Sequence, residues 1–200
     1  MRKYTPLSCS GGTPVAHAAG RFIRIALVSA LAYHISTIAR DDAKGDDTDH
    51  ARPQATAGTG LGRRIVAEAK TQRGVPYSWG GGGPRGKSRG ICCSPGGYDG
   101  RKTTGFDCSG LVQYAVYQAS DGRITLPRVA HDQVRRGKPV TRDSMRPGDL
   151  IGFDHGQGIT HIGIYIGDGR MVHAPQTGDV VKISPLAPRT HQRWTIRRLR

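Results

Sequence analysis

The run His161-Ile162-Gly163-Ile164-Tyr165-Ile166 alternates without interruption and constrains the fold more than any other segment. Ile162, Ile164 and Ile166 face one way and His161, Gly163 and Tyr165 the other, the period of a β-strand. Gly167-Asp168-Gly169 is a tight-turn signal, and Arg170-Met171-Val172-His173-Ala174 reads as the returning strand. A hairpin of this kind brings His173 beside His161.

A helix is predicted from Phe106-Asp107-Cys108-Ser109-Gly110-Leu111-Val112 onward. Leu111, Val112, Ala115, Val116 and Ala119 form one helical face. Asp107 or Ser109 can serve as N-cap, which puts Cys108 at or just before the first turn. Unpaired amides and the positive end of the helix dipole favour a thiolate there. A thiol, an imidazole to take its proton and a further polar group to orient that imidazole make a complete nucleophilic set.

These segments, with two others, resemble the NlpC/p60 family of cell-wall cysteine peptidases. The resemblance covers roughly residues 60 to 200. It runs in order through Gly74-Val75-Pro76-Tyr77-Ser78-Trp79-Gly80-Gly81, Asp107-Cys108-Ser109-Gly110-Leu111-Val112, Arg146-Pro147-Gly148-Asp149-Leu150-Ile151, His161 to Gly167, and Met171-Val172-His173-Ala174-Pro175. It implies an α+β, papain-like fold: a small antiparallel β-sheet packed against helices, with the nucleophile at a helix N-terminus. It further implies that Cys108 attacks an amide carbonyl to form a thioester. His161 would be the base and His173 the residue that orients it. Tyr77 and the Cys108 amide would serve the oxyanion, while Asp107 and Ser109 would hold the amino end of the peptide. The implied substrate is the peptidoglycan stem peptide, cut between D-glutamate and the diamino acid that follows. His155 is the rival base, but it lies in the glycine-rich loop Asp154-His155-Gly156-Gln157-Gly158. Trp79 serves the cleft or packs beneath it, and Asp149 orders the turn after Pro147-Gly148.

Two other classes share these residues: a non-catalytic wall-binding module on the same fold, and an amidase or acyltransferase using the same cysteine. The intact set of Cys108, His161 and His173 argues against the first. Mass analysis of products separates the second.

Residues 61–200 are expected to form the catalytic domain, beginning with a short helix around Ile65, Val66 and Ala69 that ends by Gly74. Residues 1–60 read as an extension. Asp41 to Asp49 contains five aspartates, and Ala51 to Gly60 has linker composition. The apolar stretch between Arg21 and Arg40 is too short and polar for a clear membrane span. Preceded by basic residues, it fits an export signal, a weak anchor or a surface extension, so the expected location is the cell envelope or outside the cell.

The net charge is +15, and Val180 to Arg200 holds six basic residues and no acid. Such a surface suits anionic wall polymers or a solvated basic face. No nucleic-acid motif accompanies it, and aromatic residues are too few for a stacking platform, so no specific nucleic-acid partner is expected. The oligomeric state is not legible. The segment from Pro84 to Thr104 reads as a long loop bordering the cleft. The adjacency of Cys92 and Cys93 argues against a simple disulfide between them and against a metal site of ordinary spacing. No cofactor and no metal are expected.

Overall fold

A computed structural model of the chain describes residues 60–200. The extension and its apolar stretch lie outside the described residues. The chain begins with helix α1 (Gly60–Thr71), followed by two short strands, β1 (Ser88–Arg89) and β2 (Thr104–Gly105). Helix α2 (Cys108–Ala119) and the single turn α3 (Ala130–Gln133) come next. Six strands complete the chain: β3 (Lys138–Pro139), β4 (Leu150–Asp154), β5 (Ile159–Gly167), β6 (Arg170–His173), β7 (Lys182–Pro185) and β8 (Arg193–Arg198). β3 to β8 form one antiparallel sheet in the order β3-β8-β4-β5-β6-β7. β1 and β2 pair separately.

The alternation in β5 builds the core. Ile162 and Ile164, with Leu150 of β4 and Val172 of β6, pack against Ile65, Val66 and Ala69 of α1 and against the predicted face of α2. Removing such side chains from water contributes about 1.5–3 kcal/mol each. The odd-numbered residues Ile151, Phe153 and Met171 join Leu186 and Ile196 in a second core. β4 is therefore buried along nearly its whole length.

Two sequence readings change. Arg193 to Arg198, read as part of a basic surface, is a strand inside the sheet, with Trp194 and Ile196 contributing to the second core. Two of its arginines are structural ties. Arg197 Nε donates to the Val134 carbonyl at 2.6 Å, and Arg198 donates to both oxygens of buried Asp149 at 2.8 and 2.7 Å. Asp149 also orders its turn, accepting from the Arg146 amide at 2.7 Å. Secondly, Cys92 and Cys93 are joined to each other. Their Cα atoms lie 3.0 Å apart across a cis peptide bond, so the adjacency that argued against a disulfide did not prevent it.

Candidate active site

Cys108 is the first residue of α2, and Asp107 is its N-cap, with extended backbone and a side chain that accepts from the Gly110 amide at 2.7 Å. Of the two candidate caps, Asp107 takes the position. Just ahead of it, Phe106 exchanges hydrogen bonds with the segment around Tyr77: the Ser78 amide donates to the Phe106 carbonyl at 3.0 Å, and the Phe106 amide to the Pro76 carbonyl at 3.2 Å. That pairing holds Tyr77 beside Cys108. Its phenol is pushed above the usual range, by burial first and then by Cys108 and Asp107. The hydroxyl therefore stays protonated and remains a hydrogen-bond donor.

Arg128, which the sequence reading did not single out, organises this side of the site. Its guanidinium donates to Asp107 Oδ1 at 2.9 Å and Oδ2 at 2.7 Å, to Ser109 Oγ at 2.8 Å and to the Gly81 carbonyl at 3.1 Å. A bidentate arginine–carboxylate pair of this geometry is strong and directional. The signal was weak, because Leu126-Pro127-Arg128 reads as an ordinary loop and the partners are remote in sequence.

His161 and His173 meet as the hairpin predicts. His161 Nε2 lies 2.8 Å from His173 Nδ1, and His173 Nε2 lies 3.0 Å from Ser184 Oγ on β7. His173 fits because the neighbouring position is Gly163, where a Cβ would meet Met171 Sδ at 2.8 Å and His173 Cβ at 3.4 Å. Phe153 stacks on His161, with ring centroids 5.8 Å apart. Ser184 was also missed, since nothing in Lys182-Ile183-Ser184-Pro185 marks it. His155 is exposed at the cleft rim and bonded to Thr160 Oγ1 at 2.6 Å. His161, not His155, is linked to His173.

Cys108, His161, Tyr77, Asp107, Ser109, Arg128, Trp79 and His155 line one open cleft of about 950 Å³, which Ile91, Ser94 and Gly96 of the long loop also border. Burial pushes the Cys108 thiol up to about 12, opposed by the amides of Ile162 and Ser109. Burial, then His173, Arg189 and His155, holds His161 well below its usual range. His173 is lowered to about 4, again chiefly by burial. The resting pair is thus a thiol and a neutral imidazole, where the helix start alone had predicted a thiolate. Desolvation outweighs the helix dipole here.

The hydrogen bonds accommodate a protonation pattern in which His161 can act as a base. Neutral His161 must keep one nitrogen unprotonated to act as base. With Nε2–H donating to His173 Nδ1, that nitrogen is Nδ1. His173 then carries its proton on Nε2 and donates to Ser184 Oγ. Among the described residues no cluster of histidine, cysteine and acidic side chains could hold a metal ion.

The NlpC/P60 family model matches residues 74–200. The chain is 38% identical over 150 residues to peptidoglycan endopeptidase RipA of Mycobacterium tuberculosis, a match covering 70% of this chain and 30% of RipA. It is 40% identical over 122 residues to RipB of the same species, covering 61% of this chain and 46% of RipB. Among solved structures, the P60 domain of an antigen from M. avium paratuberculosis superposes with a TM-score of 0.59 at 35% identity, covering 70% of this chain and 93% of that one. RipD of M. tuberculosis, described as a non-catalytic NlpC/p60 domain protein adapted to peptidoglycan binding, superposes with a TM-score of 0.58 at 35% identity, covering 70% of this chain and 98% of RipD. The fold and site define an α+β domain of papain-like design. The chain belongs to the NlpC/P60 family, whose named members here include peptidoglycan endopeptidases. It spans less than half the length of the curated relatives RipA and RipB.

Proposed function

We propose that this chain is a cysteine endopeptidase that cuts amide bonds of peptidoglycan stem peptides outside the cytoplasm, between D-glutamate and the following diamino acid. The observation that carries the reading is the aligned series of His161, His173 and Ser184, whose first member lines the cleft that holds Cys108. Cys108 Sγ attacks the scissile carbonyl as its proton passes to His161 Nδ1. The negative oxygen that forms is met by the Cys108 amide, which as a first-turn helix N–H has no intrahelical acceptor, and by the Tyr77 hydroxyl. Collapse breaks the C–N bond, and His161 Nδ1–H protonates the departing amine. Water then attacks the thioester with His161 again as base, releasing the acid and restoring the thiol.

His173 makes this sequence possible by accepting the Nε2 proton of His161, which keeps Nδ1 toward the thiol. Asp107 and Ser109, held by Arg128, are placed to receive the amino end of the peptide.

The test is mass analysis of products from defined wall fragments, with Cys108→Ala alongside. Cleavage by the parent and none by the variant is the expected result. Equal cleavage by both would remove Cys108 from the mechanism. Binding of wall fragments without turnover by the parent protein would place the chain with RipD-like binding modules.

A further inference from the structure

The cleft carries charge that its own residues do not neutralise. Asp107 is the one carboxylate in its lining, and both of its oxygens are committed to Arg128. On the sheet side, the same lining includes Arg189, at the end of the short 3-10 turn Ala187–Arg189 that leads into β8. Arg189 has no carboxylate partner among the described residues. It is nevertheless held in place. Trp194 Nε1 donates to its carbonyl at 2.9 Å, its amide donates to the Leu186 carbonyl at 2.8 Å, and its guanidinium sits 5.0 Å from the centre of the Phe153 ring. Phe153 is the residue that stacks on His161. Arg189 is therefore fixed next to the base, half-buried and unneutralised, and its burial lowers its own proton affinity.

A partly desolvated guanidinium facing a cleft is costly unless the ligand completes it. Its planar donor fork matches a carboxylate. With Asp107 and Ser109 taking the amino end, the opposite wall receives the leaving side. We propose that Arg189 forms a carboxylate-binding subsite, taking a free carboxylate on the substrate residue that supplies the departing amine. The inference rests on the peptidase reading above and adds a selectivity to it. It also couples recognition to chemistry. His161 is faced by Cys108 from α2, by His173 from β6, by His155 from the β4–β5 loop and by Arg189; of these, His173, Arg189 and His155 depress its proton affinity. A carboxylate on Arg189 neutralises the charge of its guanidinium and makes His161 a stronger base once substrate is bound.

The test compares two stem-peptide fragments that differ only in a carboxylate or carboxamide on the residue after the scissile bond. Wild-type protein should prefer the carboxylate in kcat/KM by about 10- to 100-fold, the range for a charge-assisted hydrogen-bonded pair. Arg189→Gln should abolish the preference by losing the carboxylate substrate alone, and Arg189→Lys should keep part of it. The acid limb of kcat/KM should move to higher pH in Arg189→Gln, because a cation near His161 is gone. Equal losses on both substrates, or an unchanged preference, would overturn the subsite. The same comparison made as binding to Cys108→Ala protein keeps the subsite testable if the parent cleaves neither peptide, a result that would sink the peptidase reading by itself.

Discussion

At the scale of single residues, Cys108, His161 and His173 were legible because each stands inside a local pattern: a capped helix start, a strict alternation and a turn that folds one strand onto the next. Arg128 was not, because its role exists only across a long separation, 21 positions from Asp107; Ser184 was not, because nothing in its own short strand marks it. The protonation state of the thiol was read in the wrong direction, since burial cannot be seen from flanking residues. His173 works entirely through His161, so its replacement separates orientation from binding. His173→Ala removes the acceptor for the Nε2 proton and lets the imidazole present the wrong tautomer. Its kcat should fall by about 10²–10⁴-fold with little change in KM. His173→Gln, which restores an acceptor oxygen, should recover part of the loss. Steady-state kinetics on a defined stem peptide measure both, and an unchanged kcat in His173→Ala would remove it from the mechanism.

At the scale of elements, the hairpin and helix α2 were visible because their apolar periods are uninterrupted. β8 was hidden because arginines make up half of its six residues, so the segment read as basic surface and the alternation of Trp194 and Ile196 was masked. The glycine run before the site has a specific use. α2 approaches so closely that a Cβ on Gly110 would stand 2.3 Å from the Gly81 carbonyl. That carbonyl also accepts from the Asp107 amide at 3.0 Å and from Arg128 at 3.1 Å. Gly110→Ala should push helix and loop apart, cost about 1–3 kcal/mol of stability, and lower kcat/KM at least tenfold, because Asp107, Cys108 and Arg128 shift together. Gly83→Ala, whose Cβ would meet nothing nearer than 3.8 Å, is the control. Urea unfolding and kinetics on the pair test this, and a fully active, equally stable Gly110→Ala protein would refute the close-approach argument.

At the scale of the molecule, the α+β architecture was legible, yet a sheet with a core on each face was not, since the second core joins residues from β4, β6, β8 and the turn at Leu186. Burying two histidines beside Arg189 gives stability a definite pH dependence. An unfolded histidine binds a proton near pH 6.5, whereas folded His173 resists one until about pH 4. Between those values the unfolded chain holds more protons, so stability is fully present above pH 6.5 and is lost as pH falls toward 4, by up to about 3 kcal/mol for this residue. The urea midpoint should drop between pH 6.5 and 5, and His173→Gln should flatten that drop; an equal slope in both proteins would assign the effect elsewhere. The position of β8 carries a different consequence. It is the last strand in sequence but lies between β3 and β4, and most of its pairings join residues far apart along the chain. Strand pairing of this kind forms late and slowly, so β4 gains its second neighbour only after most of the chain is available. Phe153, which supports the ring of His161, is enclosed at that same step. The setting of His161, the proposed base, is thereby tied to completion of the sheet, and on that reading a chain still being assembled carries Cys108 without the partner that would arm it.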